Sequence, residues 1–252
     1  MEFQYCEAIG GGSPVQPLNI ASSLPFLLLA WFCWSAQHWD RGIRYVAAAG
    51  WTLTGWGSVG WHATLNPGLL AIDVAGVTAV GVAIVRAAQV RFWRIRSPDK
   101  PRSSDSWVLT GVLSLLLGGV SIVAGQFGPG EWQMAPAFVP GMLVMAALAI
   151  IAGRGDQAAG ATGTGTGSRV IGKATDLGTG MGTVTGTGIG RSTMSASILW
   201  IAAVAFGLAI LARGADVPLC DLNPYGTHPL WHLLAGAAAW LALRGILGAK
   251  RG

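Results

Sequence analysis

Two histidines four residues apart, in His228-Pro229-Leu230-Trp231-His232, fall on one face of a helix and can reach a single metal ion together. Pro229 is compatible with that helix, because in its first turn the missing N–H leaves no bond unmade. A third imidazole, His62, follows Ser58 by one helical turn in Gly57-Ser58-Val59-Gly60-Trp61-His62, and Asp73 comes shortly after. Three protein nitrogens with an open fourth position is the arrangement of catalytic rather than structural zinc. A carboxylate beside such a site can orient a histidine or accept a proton from water. Each residue alone has a plainer reading. Ser58 can bond the carbonyl four residues back, Asp73 can complement a helix N-terminus, and His62 can be a hydrogen-bonded packing residue.

The elements that must position these groups are hydrophobic. Of 252 residues, 52% are apolar and 11% charged, against about a quarter charged in soluble domains. The mean hydropathy is +0.53, so the bias runs through the chain and argues against a soluble domain. Seven segments suit membrane-spanning helices: 19–39, 45–65, 69–90, 107–127, 135–152, 195–211 and 228–247. Asn66-Pro67-Gly68, Gly128-Pro129-Gly130 and Asn223-Pro224 punctuate them as loops. The fold class expected is therefore all-α, a seven-transmembrane helix bundle. The start of the chain has no basic residue and no signal-peptide pattern, so the first segment is expected to be retained.

Basic residues set the orientation. Arg41 and Arg44 follow the first span, five Arg and Lys lie between Arg91 and Arg102, and Arg154, Arg169, Lys173 and Arg191 lie between the fifth and sixth. Arg244, Lys250 and Arg251 close the chain, whereas Glu2, Glu7, Glu131, Asp216 and Asp221 occupy the alternate connections with Arg213 as their one basic neighbour. That asymmetry puts the N-terminus outside and the C-terminus inside. Trp31, Trp39, Trp107, Trp132 and Trp231 fall near span ends, where interfacial aromatics belong. The net charge of +5 then records cytoplasmic loops, with no nucleic-acid partner implied. With this topology His62, Asp73, His228 and His232 occupy one depth, within roughly 10 Å, just below the outer surface, and His38 lies at an interface.

The organisation that follows has three parts: an extracytoplasmic segment 1–18, a helical domain 19–247 and a basic cytoplasmic tail 248–252. Within the helical domain, residues 154–194 are dominated by Gly, Thr and Ala and are expected to form a disordered cytoplasmic loop. Gly167 to Ala174 in that loop mimics a phosphate-binding loop, but it lacks the final hydroxyl and no strand precedes it.

These residues together resemble the alkaline ceramidases and the wider superfamily of seven-span hydrolases that includes the adiponectin and progestin-type receptors. The resemblance rests on Gly57-Ser58-x-x-x-His62-Ala63-Thr64-Leu65, then Asp73, then His228 to Gly236, with Cys6-Glu7, Asn19, Ser22, Pro25 and Phe26 near the start. It implies that His62, His228 and His232 bind Zn2+ and that Asp73 and Ser58 act at the zinc-held water. The implied reaction is hydrolysis of an N-acyl sphingoid or related N-acyl lipid to a fatty acid and an amine. It also implies pairing of Cys6 with Cys220, since family members join cysteines in these regions. A calcium site in the family's N-terminal segment is carried over only at Glu7; Gln4, Ile9 and Gln16 occupy its other positions, so calcium is not expected. The partner implied is a membrane lipid substrate, with no obligate protein partner. The Gly/Ala-rich, Lys-poor composition points to a bacterial inner membrane with the site toward the outer side. A receptor or sensor of the same superfamily, holding a structural zinc, is the alternative, and a transporter is disfavoured because the inner half of the spans lacks polar groups.

Overall fold

The computed structural model describes residues 5–7, 15–96, 107–125 and 196–248, with scattered positions between 143 and 151. Every regular element among the described residues is helical. These are α1 (Pro17–Ser35), α2 (Arg41–Thr64), α3 (Pro67–Arg96), α4 (Trp107–Gly125), α5 (Ala196–Ala215) and α6 (His228–Leu247). α1 is two helices in series, Pro17–Ser23 and Pro25–Ser35, because Pro25 restarts the helix after Leu24. A 3-10 turn, Val217–Leu219, follows α5. Of the fifth expected span only scattered positions are described, and the Gly/Thr-rich segment 154–194 lies outside the described residues, as does the tail beyond Gly248.

Four of these helices, α1, α3 over Pro67–Trp93, α5 and α6, are long and apolar enough to cross a bilayer. Their outward residues are apolar too. Leu28, Trp31, Val108, Leu115 and Leu211 are each more than half exposed, the inverse of a soluble surface and the pattern that lipid solvates. α2 also has the length, at 24 residues, but glycines, threonines and His62 dilute its apolarity. Its surroundings explain that composition. α2 lies between α1 and α3, and half of its residues, including Ala47, Trp51, Thr54, Ser58 and His62, are buried at helical spacing.

Small residues allow this central packing. At Gly50 an added Cβ would meet Gly76 O, Val80 N and the Val80 side chain at 2.9 Å, so α2 and α3 approach backbone to backbone. Further along, Gly57 meets the Asp73 backbone in the same way. α6 packs against α5, the first half of α1 and α3, while α4 leans on α3 alone among its nearest large contacts.

Several boundaries differ from the sequence expectation. Asn66-Pro67-Gly68 is not a three-residue loop: Pro67 opens α3, and the Asn66 side chain caps it by accepting Gly68 N–H at 2.8 Å. The turn is only Leu65 and Asn66, made possible by a left-handed Leu65 at φ 53°. α3 also runs on to Arg96, beyond the expected end at residue 90, because a helix can continue past the hydrocarbon wherever its side chains suit water. α1 in turn begins at Pro17, inside the segment 1–18 expected to precede it.

Close approach at Gly50 generates a test. Gly50→Val should overpack the α2–α3 contact and destabilise the protein by about 1–3 kcal/mol. Gly81→Val, where an added Cβ meets nothing within 4 Å, serves as the control and should leave the detergent melting temperature near wild type.

Candidate metal centre

His62, His228 and His232 converge. Ring centroids are 5.2 Å apart for His62–His228, 5.1 Å for His62–His232 and 4.6 Å for His228–His232. One nitrogen from each lies within 4.8 Å of the other two. Nitrogens on one tetrahedral zinc are about 3.3 Å apart, so small ring rotations close the set around an ion. All three rings are at most 4% exposed. His62 comes from the last turn of α2, and the histidine pair comes from the first turns of α6, with Pro229 in the first turn as its chemistry requires.

Hydrogen bonds determine which nitrogen each ring presents. His62 Nδ1 lies 2.7 Å from Gln16 Oε1, an acceptor only, so Nδ1 carries the proton and Nε2 keeps its lone pair. His232 Nδ1 lies 2.9 Å from Ser22 Oγ and 3.2 Å from Ser23 Oγ. Both hydroxyls donate to the Asn19 carbonyl, at 3.0 and 2.7 Å, which leaves them as acceptors and again puts the ring proton on Nδ1. His228 Nδ1 is buried without a hydrogen-bond partner. A buried ring nitrogen lacking a protein partner is costly, and a cation would satisfy it. These donors therefore suit a bound divalent ion. Imidazole nitrogens accept zinc well without singling it out.

The residues that hold the rings were mostly missed by sequence reasoning. Gln16, placed there only as a departure from a calcium site, is fully buried and held through both backbone and side chain. Its backbone N–H donates to His62 O at 3.0 Å, and Oε1 accepts from both Asn19 Nδ2 at 2.9 Å and the His62 ring. Asp216 is equally buried; its Oδ1 accepts Thr227 N–H at 2.7 Å and His228 N–H at 2.8 Å, capping α6 and so aiming the histidine pair. Gly226, at φ 69°, turns the chain into this cap, and a Cβ there would strike Asp216 and Cys6. The one available signal was a lone acidic residue ahead of a helix start.

The N-terminal segment closes the site. Tyr5 packs its ring 4.5 Å from that of His228 and 5.3 Å from that of His62, and its hydroxyl accepts Trp61 Nε1–H at 3.2 Å. Burial pushes the Tyr5 phenol above its usual range, so it stays protonated. Cys6, next in the chain, forms a disulfide with Cys220, joining this segment to the loop ahead of α6. Glu7 caps α1: its two carboxylate oxygens accept Leu18 N–H at 2.7 Å and Asn19 N–H at 3.1 Å.

Ser58 is fully buried and lies 2.9 Å from Ser23 Oγ, which links it to the His232 partners. With the Ser23 proton given to Asn19, Ser58 is the donor in that bond and keeps its lone pairs. Asp73 is half-buried near the start of α3, outside the three-histidine ligand set, with its backbone against Gly57. His38 is exposed beyond the end of α1 and takes no part. Comparison with known proteins returns no matching family model, no matching curated protein and no matching solved structure.

Replacing Gln16 by leucine tests how far these partners matter. Gln16→Leu removes the acceptor that fixes His62, and metal affinity, read by chelator competition, should fall roughly tenfold to a hundredfold. An unchanged affinity would show that the bond does not set the ring.

Proposed function

We propose that this protein is a zinc-dependent intramembrane lipid-amide hydrolase of the ceramidase kind, cleaving an N-acyl sphingoid or related N-acyl lipid to a fatty acid and an amine. The observation that carries this reading is the buried set of three imidazoles, two of them held with Nε2 presented, linked through Ser23 to the Ser58 hydroxyl. The bilayer arrangement proposed with it is seven spans with the N-terminus outside. In support, His62 ends α2, Asp73 lies near the start of α3 and His228 begins α6, so all share one end of the bundle. Arg41, Arg44 and Arg244 are at the other end, as a cytoplasmic side requires.

The roles divide as follows. Gln16, Ser22 and Ser23 hold the His62 and His232 tautomers. Zinc, when bound, would polarise the amide carbonyl and bring the pKa of water toward neutrality. Asp73 takes the proton from the attacking water and passes it to the departing amine nitrogen, as a general base and then a general acid. Ser58, its proton already engaged with Ser23, orients the reacting groups from beneath and donates to the carbonyl oxygen if it turns away from Ser23. Tyr5 and Phe26, which meet the rings at 4.5 and 5.6 Å, keep bulk water from the cluster. Exposed apolar helices let a lipid enter from the side rather than from water.

Purified protein should contain zinc and release fatty acid from ceramide or another N-acyl lipid. His232→Ala should lose both metal and turnover. Asp73→Asn should keep the metal yet lose turnover by about a hundredfold or more. Metal binding in wild type without hydrolysis of any N-acyl lipid would refute the enzyme.

A further inference from the structure

The hydrolase roles leave one cation at the site unused. Arg213 lies in the last turn of α5, where Ala212 O accepts the Thr227 hydroxyl at 2.5 Å, one residue ahead of His228. Its guanidinium carbon is 5.4 Å from the centre of the Tyr5 ring, the ring that packs on His62 and His228.

Tyr5 is the one contact of that guanidinium among the described residues. Among the described residues, the Arg213 guanidinium makes no hydrogen bond and no ion pair; contact with a ring face satisfies none of its five N–H groups. No described carboxylate pairs with it. Asp216 Oδ1 caps α6 while its Oδ2 stays buried without a partner, and both oxygens of Glu7 cap α1. A helix C-terminus favours a cation, yet that preference does not lean the side chain over Tyr5. Arg213 is also out of keeping with its end of the bundle: Arg41 and Arg44 open α2, Arg86 falls in the far part of α3, and Arg244 ends α6, all at the opposite end.

We propose that Arg213 is a specificity determinant that receives an oxyanion, carboxylate or phosphate, carried on the amine side of an N-acyl lipid. The inference rests on the amidase reading above and names the substrate class for that site. With the amide at the histidine cluster, the acyl chain lies along the apolar helices, and the amine portion reaches the bundle end where Arg213 stands. A planar guanidinium matches an oxyanion through two parallel N–H bonds, which a neutral hydroxyl cannot accept as strongly. Ceramide itself, being neutral, would be the poorer substrate.

Binding without turnover separates this from the hydrolase. In nanodiscs of phosphatidylcholine, native mass spectrometry of the His232→Ala protein would compare N-oleoylglycine and ceramide 1-phosphate with neutral ceramide. Inorganic phosphate is added as a competitor, to tell a headgroup site from a free-anion site. Anionic lipids should bind about tenfold or more tightly than ceramide, as expected of a charge-assisted bond. Arg213→Met, which keeps the stem over Tyr5, should bring that ratio to near one, and Arg213→Lys should keep part of it. A ratio unchanged in Arg213→Met overturns the proposal, as does a wild-type site that prefers ceramide or takes free phosphate while ignoring both anionic lipids. If the ratio collapses as expected but wild type cleaves no N-acyl lipid, the anion site stands and the amidase reading falls.

Discussion

Three imidazoles buried together impose a constraint that much of the surrounding structure meets. Each ring has two nitrogens, and in an apolar interior neither can be left without a partner cheaply. The protein answers from one side with Gln16 and the serine pair, which take the ring protons of His62 and His232. The other side is left with lone pairs facing one another, an arrangement that repels unless a cation stands between them. The site is thus built as half of a coordination sphere, completed by something the chain does not itself supply.

That constraint explains the local chemistry of α1. Gln16 just ahead of α1, and Asn19, Ser22 and Ser23 on it, are polar groups in a segment otherwise apolar enough to cross a bilayer, and all four are buried. They bond to one another and to the rings, so burying them costs less than it would singly. The break before Pro25 ends this polar half, and beyond it α1 becomes a plain apolar helix whose Phe26 packs edge-on to His232. The same logic holds at α6, where Asp216 secures the backbone of the first turn and so fixes where His228 and His232 point.

Closure of the site depends on a segment far away in sequence. Tyr5 covers two of the rings, and the residues that follow it fix that contact in place. The Cys6–Cys220 bond and the Glu7 cap anchor both sides of that contact, tying the N-terminal segment to the loop before α6 and to the start of α1. Ligand helices, cover and anchoring loop thereby form one connected unit. Tyr5 stays a neutral hydroxyl there, and Arg213 leans over its ring.

Much of this was readable in the residues. The helix bearing His228 and His232 has the boundaries its pattern predicts, since Pro229 suits a first helical turn and the apolar run that follows needs no partner to be recognised. The grouping of His62 with that pair followed from depth alone, because helix rise and span ends set how deep a residue lies. Gln16, Ser23, Asp216 and Arg213 could not be placed the same way. Their roles are contacts between segments remote in the chain, and no periodicity within one helix reports which neighbour a side chain will meet. Rotation of each helix about its own axis is decided by packing such as Gly50 on Gly76, and that rotation turns an ordinary amide or hydroxyl toward an imidazole. Residue type and spacing determined which groups could bind a metal; only the assembled bundle decided which groups would hold them.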